Sequence, residues 1–470
     1  MSYEEKYCVD YLVLKPEKAS LFDLVRILAS RDLKDRAFVE HPEEELIDAR
    51  RRWLIFISLL LQKALLYWRR PMAFIGFVIT LWLNLVSING GLRDLLLNLL
   101  KGKVVLPKSS SATFTSVVGN VDKRVELDRS IKHGSSQYNT ALSIMAAKLS
   151  YENEAFIQTI VRDHWQMDFV GFYNFWNDYE QRFSTQAFML RDTSSDPDLI
   201  VVAFRGTDPF DADDWRTDVD ISWYELQNIG KMHSGFMKAL GQQMNKGWPK
   251  EIEEGPLPYA YYTIRRLLGE MLGKNERAKF ILTGHSLGGA LAILFVAVLG
   301  LHEEAWMLER LEGVYTFGQP RVGDKQFGDF MMEKLKQYDV KYFRYVYCND
   351  IVPRLPYDDT TTLFKHFGAC LYYNSCYKGK VLWEEPNKNY FSLYWVIPKF
   401  LNAVWELVRS FIIPYTEGPD YREEWLMKMI RVFGLAIPGI SAHLPQDYDN
   451  VTRLGSVPLP LQLQDPIHET

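Results

Sequence analysis

The sequence predicts an α/β protein with a mostly parallel sheet, joined to an apolar, cation-flanked helical region near its N-terminus. Three observations carry this. From residue 199 onward, strand-like apolar runs alternate with segments of helical spacing. One of those strands runs into a Gly-x-Ser-x-Gly turn followed by a long apolar helix. The segment from Arg50 to Lys103 is far more apolar and basic than the rest of the chain.

Composition narrows the classes. The chain has 470 residues, 47% hydrophobic and 24% charged, which argues against a mainly disordered or fibrous protein. A net charge of -5 leaves no overall basic footprint, so no nucleic-acid partner is expected. Four cysteines, Cys8, Cys348, Cys370 and Cys376, are too few and too scattered for a disulfide framework or a zinc site. The start, MSYEEKYCVD, has no cationic run, so no secretory signal is read and a reducing, cytosol-facing location is expected.

Composition shifts divide the chain. Residues 1–52 form a polar N-terminal region and 53–105 a hydrophobic, basic-flanked helical anchor. Residues 106–130 read as a linker leading into a first strand. Residues 131–460 form the α/β domain, with an aromatic-rich insertion at about 385–440, and 461–470 are a tail. From Arg50 to Lys103 the net charge is +8, so the remainder carries about -13. The two apolar runs here are 16 and 17 residues, separated by Arg69-Arg70-Pro71. A spanning helix needs roughly 20 apolar residues, and a proline kinks a helix interior. Two readings follow: a pair of helices entering one lipid leaflet as a hairpin, or a buried hairpin packed on this chain or on a second subunit. The cationic flanks favour the lipid reading.

The α/β domain begins with two helices in 139–165. Strands follow at 199–204, 279–284, 313–318 and 342–348, with a hairpin near 364–373. Helical runs SGFMKALGQQM, AYYTIRRLLGEML, GALAILFVAVLGLH and QFGDFMMEKLKQY lie between them, the pattern of a sheet covered on both faces.

The chemistry centres on Ser286. Strand KFILT enters Gly284-His285-Ser286-Leu287-Gly288-Gly289, and the apolar helix follows. The context makes this a nucleophile elbow, in which Gly284 and Gly288 let strand and helix approach a strained serine. The helix N-terminus supplies free N–H groups to a developing oxyanion. In this architecture the order is Ser, acid, His. Among Asp324, Asp329, Asp339, Asp350, Asp358, Asp359 and Asp420, only Asp350 directly follows a hydrophobic strand. Three histidines come later. His468 is two residues from the end, His366 lies in a strand-like segment, and His443 sits in a loop free to turn its ring between Ser286 and Asp350. The second oxyanion donor is expected after LIVVAF, where Thr207 offers its N–H, helped by its hydroxyl, opposite the Leu287 N–H.

Five ordered blocks, FRGT (204–207), GHSLGG (284–289), FGQPRVG (317–323), NDIVPRLP (349–356) and the late His443, resemble the class 3 lipases over roughly residues 130–455. Within that family, the apolar N-terminal segment and the long stretch before His443 are similar to plant oil-body triacylglycerol lipases. The resemblance implies an α/β-hydrolase fold and ester hydrolysis on glycerolipids, with Ser286 as nucleophile, Asp350 as orienting acid, His443 as base, and Thr207 and Leu287 as oxyanion donors. No metal or cofactor is expected, because proton transfer and oxyanion stabilisation supply the catalysis. The resemblance implies a place on the lipid-droplet surface or the endoplasmic reticulum membrane, facing the cytosol, against a phospholipid monolayer. A homo-oligomer is a further possibility. The family's lid corresponds to roughly Pro209–Ile221, and with Asp208 this stretch holds six aspartates, more acidic than an apolar lid.

The stretches YFSLYWVIPKFLNAVWELVRSFIIPY and WLMKMIRVFGLAIPGI suit either a lipid boundary or extra helices over an acyl pocket or subunit. Asn450-Val451-Thr452 matches a glycosylation sequon, read as chance. Rival functions are a phospholipase or galactolipid acyl hydrolase with the same catalytic residues, a transacylase, and a non-catalytic scaffold.

Overall fold

Alternating β-branched and aromatic residues build the central sheet, and a computed structural model shows how it is arranged. The structure describes residues 8–29, 37–41, 49–128, 131, 133, 135–242, 247–252, 255, 257–358 and 364–455. The expected tail at 461–470 and His468 lie outside these residues.

In chain order the N-terminal part holds β1 (Cys8–Leu14), α1 (Leu21–Ala29), β2 (Val39–Glu40), α2 (Ala49–Ile88), α3 (Leu92–Leu100) and α4 (Val117–Val121). Next come α5 (Ser136–Leu149), α6 (Glu154–Thr159), β3 (Asp168–Asn177), β4 (Arg182–Asp192), β5 (Leu199–Phe204) and α7 (Ala212–Val219). Then β6 (Trp223–Leu226), β7 (Gly230–His233), α8 (Ser234–Leu240), α9 (Ala260–Lys274), β8 (Lys279–His285) and α10 (Leu287–Leu301) follow. The chain continues through α11 (Ala305–Leu308), β9 (Leu311–Phe317), α12 (Lys325–Gln337), β10 (Lys341–Tyr347), β11 (Cys370–Tyr373) and β12 (Gly379–Leu382). It closes with α13 (Val396–Thr416), α14 (Trp425–Gly434) and α15 (Pro445–Leu454).

The main sheet has the order β12-β11-β10-β9-β8-β5-β4-β3. The strands from β5 to β11 pair in parallel, and antiparallel pairs close both edges. Strand β5 shows why both faces are covered. Ile200, Val202 and Phe204 enter one core with α8–α10, while Leu199, Val201 and Ala203 enter the other with α5 and α15. This is the α/β-hydrolase arrangement. The hairpin β3–β4 was not expected, and it extends the sheet beyond β5.

Two expectations are corrected. No strand lies among the described residues of 106–130; Ser116 instead caps α4 by accepting a hydrogen bond from Gly119 N–H. The apolar segment is not two helices broken at Arg69-Arg70-Pro71. It is one 40-residue helix, α2, running through an exposed Pro71 and spanning about 60 Å. Contacts on both sides of the proline hold it straight through: Arg69 pairs with Asp213 at 3.4 Å, and Gly76 lies against Phe210. The chain turns later, at Gly90 and Gly91, whose φ values of 82 and 105 suit only glycine. The polar start also docks closely. Strand β1 pairs with β2 and β6 in a second sheet ordered β2-β1-β6-β7, over a small core of Leu12, Leu14, Ile27, Ile55, Leu59 and Trp223.

Helix α2 is long and apolar enough to cross a membrane by length and composition. Its buried positions include Ser58, Gln62 and Asn84, whereas Trp53, Tyr67, Trp68, Phe74 and Phe77 are exposed.

Candidate active site

Strand β8 carries the chain to Ser286, and α10 leaves from it. Ser286 has φ 58 and ψ -131, a strained conformation for a residue with a side chain. The turn is this tight because its glycines touch backbone. A Cβ on Gly284 would lie 2.1 Å from the Gly288 carbonyl carbon, and one on Gly288 would lie 2.2 Å from the Phe204 oxygen. Those contacts also bring the loop after β5 against the elbow.

The structure brings Ser286, His443 and Asp350 together. Ser286 Oγ lies 2.8 Å from His443 Nε2, and His443 Nδ1 lies 2.9 Å from Asp350 Oδ2. With Nδ1–H donating to the carboxylate, Nε2 is left to accept the serine proton. Asp350 is fully buried and accepts two further bonds, from Val352 N–H at 2.9 Å and from the Tyr448 hydroxyl at 2.5 Å. The Tyr448 hydroxyl is pushed well above its ordinary pKa by burial and the neighbouring carboxylate, so it stays a donor. His443 lies in a short 3-10 turn, Ser441–His443, immediately before α15.

His285 ties the elbow to the loop of the catalytic-type histidine. Its Nε2 donates to the His443 carbonyl at 2.6 Å, and its Nδ1 accepts from the Tyr151 hydroxyl at 2.8 Å. Burial, then repulsion from His443, holds the His285 pKa well below the usual imidazole range, so the ring is neutral and keeps one donor and one acceptor. His366 lies elsewhere. It contacts the Pro353 carbonyl at 2.6 Å beside the buried Arg321–Glu385–Arg344 cluster, where burial and Arg344 keep it neutral.

Thr207 and Leu287 are both nearly buried around Ser286. Leu287 opens α10, where the first N–H groups have no acceptor within the helix. The Thr207 hydroxyl donates to Asp218 Oδ2 at 2.8 Å, so it is committed to α7 in this structure. Burial raises the Asp218 carboxyl to about 7, against the opposing pull of the Thr207 bond.

The lid-like stretch is thus a short acidic helix, α7, with its acids turned inward. Asp211 and Asp214 face Arg182 at 2.6 and 3.5 Å, and Asp214 also faces Arg205 at 3.7 Å. That pairing explains an acidic composition that looked wrong for a lid. Helix α2 lies along α7 and holds it at several points. Ser58 Oγ donates to the Val219 carbonyl at 2.9 Å and Gln62 Nε2 to Asp220 Oδ1 at 3.2 Å. Ser286 is only 2% exposed. A cavity of about 760 Å³, lined by Gly76, Phe77, Tyr151, Arg205 and Phe210 among others, lies between α2 and the body without reaching the triad.

Sequence reasoning missed Tyr151, Asp218 and Tyr448, because a buried phenol or carboxylate has no local motif. Asn450, in the sequon, is fully buried and donates to the Tyr377 hydroxyl at 2.7 Å, which suits a chance match. Among the described residues, no group of three His, Cys, Asp or Glu side chains is placed to hold a metal ion.

Comparison with known proteins follows the same lines. The family model described as lipase (class 3) matches residues 201–360. Triacylglycerol lipase OBL1 of Arabidopsis thaliana is 43% identical, over 95% of this chain and 95% of its own. The protein of that name from Nicotiana tabacum is 44% identical over 86% and 83% of the two chains. Among solved structures, lipase II from Rhizopus niveus is 23% identical and covers 50% of this chain and 78% of its own, with a TM-score of 0.37. With relatives this similar over nearly its full length and a class 3 lipase segment spanning both the elbow and Asp350, the chain belongs to the class 3 lipase family.

Proposed function

We propose that the protein is a triacylglycerol lipase that hydrolyses acyl esters of storage glycerolipids at a lipid surface. The observation that carries the reading is the Ser286–His443–Asp350 relay, at 2.8 and 2.9 Å, on a positive-φ elbow. His443 Nε2 takes the Ser286 proton as Oγ attacks the ester carbonyl, and Asp350 stabilises the imidazolium that forms. The oxyanion rests on the N–H groups of Leu287 and Thr207, each worth about 3 kcal/mol in the transition state. The imidazolium returns its proton to the leaving glyceride oxygen. Water, activated by the same histidine, then releases the fatty acid and regenerates Ser286.

The relatives named triacylglycerol lipase OBL1 support the substrate class. The exposed apolar face of α2, with its flanking cations, supports residues 53–105 as the anchor on a phospholipid monolayer. The cytosolic face of a lipid droplet and of the endoplasmic reticulum offers such a surface. Residues 131–460 then form the catalytic domain.

The test is full-length protein supplied with triolein, diolein, monoolein and phosphatidylcholine in parallel, with Ser286→Ala as control. Triolein hydrolysis abolished by Ser286→Ala is expected. Phosphatidylcholine as the preferred substrate, or hydrolysis by Ser286→Ala, overturns the reading.

A further inference from the structure

Helices α13 and α14 are inside-out. The three charged residues of α13, Lys399, Glu406 and Arg409, are all buried, as is Ser410. Its outward face is Ile397, Phe400, Leu401, Val404, Val408 and Ile412, with no charge among them. Helix α14 repeats the pattern: Arg431 is fully buried, while Trp425, Met429, Val432 and Phe433 are exposed.

The inward charges are built in. Arg431 pairs with Glu423 at 2.6 Å, Asp447 at 3.2 Å and Glu406 at 3.5 Å, and Arg409 pairs with Asp447 at 2.7 Å. Such a network fixes which face of each helix points in, so the apolar face cannot roll inward without stranding buried charges. Large contiguous apolar faces are not left in water.

What covers this face is indicated by its chemistry and its neighbours. The only charge on the outer side of the two helices is Lys428, whose ammonium sits 4.6 Å from the centre of the Phe411 ring. Neither helix turns an acid to that side; the exposed acids Glu417 and Asp420 lie in the turn between them. Tyr394, just before α13, and Tyr415, in its last turn, are strongly exposed, as amphipathic rings are at a lipid boundary. The face also continues toward the anchor, since the short helix α4 touches both α2 and α14.

We propose that the outward faces of α13 and α14 are a second lipid-docking surface, seated in the same phospholipid monolayer as α2. The inference rests on the lipase reading and deepens it. Helix α14 leads within a few residues into the turn holding His443, and Glu406 of α13 approaches Ser441 Oγ at 3.5 Å. Docking this pair therefore positions the catalytic centre at the surface where its substrate lies.

The experiment places an environment-sensitive NBD label at Ile412→Cys in full-length protein, with Cys8→Ser and Cys376→Ser removing the accessible native thiols. A second label at Lys325→Cys, on the exposed side of α12, serves as control. On phosphatidylcholine-coated triolein droplets, the label at 412 should shift to the blue and be quenched by brominated phosphatidylcholine, and the control should not. A label at 412 that stays water-like on droplet-bound protein overturns the proposal. So does a blue shift without lipid that grows with protein concentration, which would assign the face to a second copy. A triple variant, Leu401→Ser, Val408→Ser and Ile412→Ser, should lower the ratio of triolein to soluble-ester hydrolysis about tenfold. An unchanged ratio counts against docking. Should the wild-type protein hydrolyse no ester, the lipase reading fails, while the label still decides the docking surface.

Discussion

Helices α10 and α2 are both apolar and meet opposite fates. Helix α10, Leu287–Leu301, lies between the sheet and α8, and Leu287 through Gly300 are all buried. Helix α2 has its large rings outside, and Ser58, Gln62 and Asn84 face the body. The difference is in the polar residues. Helix α10 has none, so any face can be buried. Helix α2 has several, and three buried ones bond to the body: Ser58 to Val219, Gln62 to Asp220, Asn84 to the Thr115 backbone. In water those polar groups would turn outward. They turn inward here, as the proposed lipid contact of the outer face requires.

The strongest way to break the comparison is one substitution made in both helices. Leu294→Asn in α10 buries an amide with no partner and leaves a smaller side chain, at a cost of about 4 kcal/mol. Urea unfolding should show it. Leu60→Asn, at an exposed site on α2, should change stability in water by less than about 0.5 kcal/mol. Equal costs would abolish the distinction between the two helices.

The seam below α2 gives the next effect. Buried Glu152 accepts the Ser116 N–H at 2.7 Å and its hydroxyl at 2.6 Å, fixing α4 against which α2 rests. Burial raises this carboxyl from 4.5 to about 7. The folded state thus binds more protons than the unfolded state between those values, and stability falls as pH rises through that window. The loss approaches about 3 kcal/mol at most by pH 8. Thermal melts at pH 5 and pH 8 should show the drop, and Glu152→Gln should flatten it.

Gln62→Leu comes third. It removes the bonds to Ser58 and Asp220 and the acceptor for Tyr179, at a cost of about 1 kcal/mol confined to the α2–α7 contact. Hydrolysis of a soluble ester should rise a few-fold as α7 loosens, and an unchanged rate would show that α2 does not restrain it. Phe74→Ser has the smallest effect on stability, essentially none, and should weaken flotation with droplets several-fold.

The sequence was most legible where backbone geometry leaves few options. A strand, two glycines and an apolar helix define the elbow, and Asp350 follows the end of its strand by three residues. Tyr448 is another matter. It reaches Asp350 from α15, and nothing in PQDYDNV marks a buried hydroxyl. Pro71 misled for a different reason. A proline's helix penalty of about 3 kcal/mol is local, and it was outweighed by contacts of α2 with a lid-like segment about 140 residues away. The hairpin β3–β4 was obscured because β3 is only half-buried and its polar residues blur the alternation.

The hydrogen bond between His443 and Ser286 joins residues 157 positions apart, and His443 sits immediately before the last described helix. Synthesis runs the other way: α2 leaves the ribosome first and the imidazole nearly last. With α2 as the proposed anchor, a growing chain engages lipid while Ser286 still lacks His443. On the same reading, hydrolysis waits until the C-terminal helices fold back and bring His443 to Ser286, on a chain already docked at its substrate's surface.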